Sequence, residues 1–159
     1  MSRFLKFCVV FWVAIFLGNS FSGTGWADLK DDGLRPVEES QSFQDYLKKP
    51  KTDLSKLIFA IDYYRNEPVM VRFDDVDYPV QFAYPIGLVY LLTYYKNEKP
   101  EAWIKKNCYR SPTANKIMYF KYPDGSYREV RETALELIRK LEKAEKNFPK
   151  QESGEEMKK

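Results

Sequence analysis

The chain is 159 residues long, 44% hydrophobic and 31% charged, with 26 Lys and Arg against 23 Asp and Glu. That length fits one domain with a core large enough to fold without disulfide staples, and twelve Tyr and eleven Phe supply bulk to fill it. The absence of histidine removes Ser-His-Asp and Cys-His catalysis and the usual zinc ligand sets, and so balanced a charge lacks the basic excess of a nucleic-acid binder.

In chain order, residues 1–27 are expected to be an export signal. Arg3 and Lys6 give a positive start, Phe7 to Leu17 is an unbroken apolar run, and Gly25-Trp26-Ala27 offers small residues for cleavage before Asp28. Asn19-Ser20 closes the run short of the roughly 20 apolar residues that a spanning helix needs. Cleavage at Ala27 and a periplasmic or secreted location follow as expectations, with membrane contact only if the segment is retained. Cys8 lies inside the run with no lipobox before it, so it leaves with the signal and 24 basic residues remain against 23 acidic ones.

Residues 28–52 are polar and punctuated by Gly33, Pro36 and Pro50, which reads as a flexible leader with one short helix around Phe43, Tyr46 and Leu47. A single globular domain is expected over 53–147. Thr52 or Asp53 can cap a first helix, in which Leu54, Leu57, Ile58, Ile61 and Tyr64 recur on one face. It ends near Asn66, before Pro68. Val69 to Phe73 alternates as a strand, and Asp74-Asp75 turns the chain out of it.

Between Tyr78 and Asn97 the prolines Pro79 and Pro85 and Gly87 interrupt a strongly apolar stretch. Pro85 fits an early helix position, giving a helix from about Ile86 to Lys96 with Leu88, Leu91, Leu92 and Tyr95 inward. Another helix is expected from Pro100 to about Tyr109, with Glu101 in its first turn and Trp103, Ile104 and Cys108 inward. Lys116 to Tyr122 alternates, and Tyr122-Pro123-Asp124-Gly125 supplies a turn before Ser126 to Arg128, so 116–128 reads as a β-hairpin. From Glu129 to Asn147, Val130, Ala134, Leu137, Ile138 and Leu141 form a helical stripe. Glu136 faces Lys140 and Glu142 faces Lys146 on its outer side. Residues 148–159 are polar after Pro149 and read as a disordered tail. The fold class is therefore α+β: a small antiparallel sheet, made of the hairpin and the strand at 69–73, packed by about four helices.

The order of these elements resembles one family of small exported bacterial proteins of unknown function. The likeness spans Leu54 to Leu141 and is carried by Trp103-Ile104, Ser111, Thr113, Tyr119 and Pro123-Asp124-Gly125. Where that family has a Gly in the turn before its first Tyr, this chain has Asp75-Val76-Asp77-Tyr78. The resemblance implies a periplasmic address and this fold, and it transfers no catalytic residue.

Several residues have two readings. Arg110, Ser111 and Thr113 lie in a polar link where a guanidinium and hydroxyls suit a carboxylate or phosphate ligand; alternatively Ser111-Pro112 ends the helix and Arg110 satisfies its last carbonyls. Cys108, the one cysteine after the signal, excludes an internal disulfide. It reads as a core residue, an intermolecular disulfide at a dimer contact, or a thiol activated by Lys105, Lys106 and Arg110. Asp74, Asp75 and Asp77 offer hard oxygens for calcium, but without the alternating ligand loop of an EF-hand they read better as a solvated turn. Glu67, Asp77 and Glu98 are the carboxylates available to a histidine-free hydrolase. Tyr63, Tyr64, Tyr84, Tyr90, Tyr94 and Tyr95 form either a stacking platform or core rings with hydroxyls reaching the surface. No motif calls for a cofactor. The leading expectation is an exported binding or assembly component of the bacterial envelope, with an envelope protein or small ligand as partner; the rivals are a carboxylate-dependent envelope hydrolase and a membrane-tethered accessory subunit.

Overall fold

Five helices and a four-stranded antiparallel sheet make up residues 33–148, the part of the chain that the computed structural model describes. This is the expected α+β class. The signal at 1–27, the start of the leader and residues 149–159 lie outside the described residues. Among the described residues, no helix is long and apolar enough to cross a membrane.

The expected leader is in fact part of the core from Leu34 onward. A 3-10 turn at Val37–Glu39 leads into α1, Gln41–Leu47, whose N-cap Ser40 accepts a hydrogen bond from the Phe43 amide at 3.1 Å. Leu34, Val37, Phe43 and Tyr46 are buried, and Tyr46 donates to Glu145 at 2.7 Å. Polar composition misleads here because the few apolar residues of the segment all face inward.

What they cover is α2, Asp53–Arg65. Thr52 is its cap, and a reciprocal pair of bonds links Thr52 and Ser55. The expected stripe holds only in part: Leu57 and Tyr64 are buried and Leu54, Ile58 and Ile61 partly so, while Phe59, Ala60 and Tyr63 bury a second face. Phe59 lies 5.5 Å from the Tyr46 ring of α1, so α2 is the central helix rather than a one-sided one.

The sheet runs β2-β1-β3-β4. β1 is Met70–Phe73 and β3 is Tyr119–Lys121, inside the expected strand and hairpin, while β4, Tyr127–Glu129, runs one residue past the expected hairpin end at Arg128. The hairpin turn closes with Tyr122 donating to the Ser126 carbonyl at 3.0 Å and Gly125 at φ 83°. The unexpected strand is β2, Val76–Pro79. Asp74 and Asp75 take positive φ of 51° and 68°, a two-residue hairpin turn that returns the chain beside β1 instead of out of the sheet. Val71, Phe73, Val76, Tyr78 and Phe120 share the helix-facing side by register, and Phe120 stacks on Tyr64 at 4.4 Å. Arg72, Asp77, Tyr119, Lys121 and Tyr127 share the other side.

Pro79 is the N-cap of α3, Val80–Tyr94, so this helix begins six residues before the expected Ile86 and carries Pro85 within it. α4, Pro100–Asn107, buries Trp103 and Ile104. α5, Val130–Asn147, buries Ala134, Leu137, Ile138 and Leu141 as expected and adds Thr133, Leu135 and Ala144. Glu136 meets Lys140 at 3.0 Å, but Glu142 turns to Lys56 of α2 at 2.6 Å instead of Lys146. Phe148 is not tail: its ring sits 5.1 Å from Phe43, edge to face.

Candidate docking face

The residues singled out in the polar link do come together, around a carboxylate that the chain itself supplies. Ser111 and Thr113 both donate their hydroxyls to Asp74, and the Ser111 Oγ also accepts from the amides of Ala114 and Lys116 at 3.3 Å each. These bonds hold the Asp74 carboxyl below its ordinary pKa, Ser111 first and Thr113 second. Arg110 takes no part. It donates to the Asn115 carbonyl at 2.7 Å and lies over the Tyr109 ring, so it neither faces the hydroxyls nor caps α4.

The three turn carboxylates are likewise divided among separate donors. Asp75 accepts from Lys116. Asp77 accepts from Arg72 at 2.6 and 3.1 Å, from Lys121 at 3.2 Å and from Tyr127 at 2.9 Å. The Arg72 hydrogen bonds lead in lowering its pKa to about 2. Among the described residues, no group of three or more acidic, Cys or His side chains is arranged to hold a metal ion.

Cys108 caps the C-terminus of α4 and packs against the core cluster. Burial pushes its thiol up to about 12. Lys105 and Lys106 therefore do not produce a thiolate, because desolvation outweighs them. The tyrosines do not form one platform either. The hydroxyl of Tyr63 donates to the Arg35 carbonyl, that of Tyr64 to Thr133 at 3.3 Å, that of Tyr84 to Asp62 at 2.8 Å and that of Tyr90 to Asn107 at 3.4 Å. Tyr63 meets Tyr64 edge to face at 5.3 Å within α2, and Tyr90 meets Tyr94 at 4.6 Å within α3. A cleft between Leu34, Tyr63, Tyr122, Arg128, Glu136 and Lys140 has a cavity volume of about 20 Å³, far below the range of small-molecule sites.

The feature that sequence reasoning missed is the exposed apolar face of α3. Its inner face places Val80, Tyr84 and Leu91 toward α2, where Leu91 is fully buried and Tyr84 is fixed by Asp62 and by Arg65 stacked over its ring at 4.6 Å. On the opposite side Phe82 and Ile86 are each 72% exposed, Val89 64% and Leu92 55%. Leu92, expected inward, is therefore outward. Tyr78 and Val76 of edge strand β2 are also exposed, on the sheet face whose Phe120 stacks on Tyr64 of α2. No residue from Val80 to Tyr94 is charged. A helix apolar all round is ordinarily covered all round, and soluble monomers rarely expose large contiguous apolar patches. The available signal was the charge-free stretch itself. No family model, curated protein or solved structure matches this chain.

Proposed function

We propose that this protein is an exported binding or assembly component of the bacterial envelope that docks through the outer face of α3. One observation carries the reading: α3 already buries Val80 and Leu91 and packs Tyr84 against α2, and it still presents Phe82, Ile86 and Val89 to solvent with no charge along its length. A surface of that kind suits a partner and no reaction. The N-terminal pattern of residues 1–27 supports the periplasmic address, and the resemblance to small exported proteins points the same way. The hydrolase rival loses support at two of its three carboxylates. Asp77 and Glu98 are both held below their ordinary pKa by hydrogen-bond donors, the opposite of what a general acid needs.

The test uses two measurements. The intact mass of the product in the envelope fraction should correspond to a chain starting at Asp28; a mass retaining residues 1–27 would instead make it a membrane-tethered subunit. Pull-down of the tagged protein from its native envelope should then recover a partner that Ile86→Glu releases while Asp77→Asn does not. Equal recovery with both variants, at unchanged melting temperature, would remove α3 from the function.

A further inference from the structure

The outer stripe of α3 has a symmetry of its own. Phe82, Ile86, Val89 and Thr93 are spaced four, three and four residues apart, which places them in one line along the helix. The pattern reads alike from either end about a point between Gly87 and Leu88, at the middle of Val80–Tyr94. Resting on the docking-face reading above, we infer that the occupant of this face is a second copy of the chain, packed antiparallel about a two-fold axis through that midpoint. Ile86 then meets Val89 of the partner subunit, and the bulky Phe82 lies over the small Thr93 of the partner subunit.

Three physical arguments favour this occupant. A two-fold contact must be self-complementary, and the stripe is, with large against small at its ends and two β-branched side chains at its centre. Because α3 carries no charge, two copies meet without like-charge contact, and their helix dipoles run in opposition. The size is also sufficient. Four side chains exposed at 72, 72, 64 and 55% leave on the order of 500 Å² of apolar surface per copy, so a pair buries roughly 1,000 Å², about the lower bound of a specific interface.

The other routes fit less well. In a two-residue hairpin Phe73 and Val76 exchange both of their hydrogen bonds, so of the outward positions of β2 only Asp77 offers an amide, since Pro79 has none. That edge is too blunt for strand addition. A helix lying on a membrane carries Lys and Arg along its flanks, whereas Asp74, Asp75 and Asp77 precede α3.

Sedimentation equilibrium of the purified protein from 1 to 100 μM, these concentrations being chosen to bracket roughly micromolar affinity, should show twice the chain mass at the upper end. Ile86→Glu and Val89→Lys should each leave a monomer of unchanged melting temperature, with dimer affinity reduced roughly 100-fold or more by a buried, unpaired charge. Mixing these two variants should restore a dimer, because Glu at 86 meets Lys at 89 across the axis. A wild type that stays monomeric throughout, a dimer indifferent to both changes, or a mixture that fails to reassociate overturns the inference. If the monomeric wild type nevertheless binds neutral lipid vesicles or retains an envelope protein, and Ile86→Glu abolishes this, the docking face stands and only its occupant changes.

Discussion

α5 and α3 are the two longest helices of the described fold, and they obey opposite rules. α5 buries Ala134, Leu137, Ile138, Leu141 and Ala144 along one stripe and sends Glu132, Glu136, Arg139, Lys140 and Lys143 outward. α3 carries no charge, and it buries Val80 and Leu91 while exposing Phe82, Ile86 and Val89. The charges on α5 tell the helix which way to face; on α3 only the neighbours decide. The contrast shows that the apolar content of α5 is used up by its own core, while that of α3 exceeds what α2 and the sheet can cover.

The comparison breaks first at the core end. Phe43, fully buried on α1 with the Phe148 ring against it, belongs with α5 in this scheme although it lies in polar sequence. Phe43→Ala should cost about 3–5 kcal/mol in urea unfolding; a cost near zero would return residues 33–48 to the status of a loose leader. Ile138→Ala should cost about 2–5 kcal/mol. The same Ile→Ala change at Ile86 should alter monomer stability by no more than about 0.5 kcal/mol. Similar losses at both positions would mean that α3 is covered within its own chain.

How much of this was legible follows the same division. α5, α4, the Thr52 cap and the Pro123-Asp124-Gly125 turn were readable because each has a local signal: alternating polarity, a capping hydroxyl, a glycine at positive φ. β2 was hidden because Asp74-Asp75 is a poor match to the Asn-Gly preference of its turn, and the tertiary clasp of Ser111 and Thr113 on Asp74 accompanies that backbone. The start of α3 was misplaced because two prolines competed for the first turn, and Pro79 took it while Pro85 sits exposed within the helix. Which side of α3 faces out is settled by α2 and the sheet, and no short window of sequence contains that information.

β2 leads into α3, so the bond network that holds β2 sharpens the comparison through pH. The Arg72 hydrogen bonds in the folded state draw the Asp77 carboxyl down to about 2, below its ordinary value near 4. A depressed carboxylate contributes stability that is fully present above the unfolded pKa and lost as pH falls through the folded one. Wild type should therefore exceed Asp77→Asn in melting temperature at pH 6, and the gap should close between about pH 4 and 2. A gap that persists at pH 2 would assign the effect to shape and not to charge.

One expected effect has the opposite sign. Gly87 lies at the middle of α3, with nothing within 4 Å of the position a Cβ would take. Alanine there avoids the backbone entropy that glycine loses in a helix, so Gly87→Ala should stabilise the protein by about 0.5–1 kcal/mol. On α5 no interior position offers such a gain, since its small residues Ala134 and Ala144 are already packed. The sign of the Gly87 effect at low protein concentration reports whether that flank of α3 is bare in the free chain. A destabilisation instead would mean that a further part of the protein closes over Gly87, and the surplus of apolar surface on α3 would then belong to the fold and not to a partner.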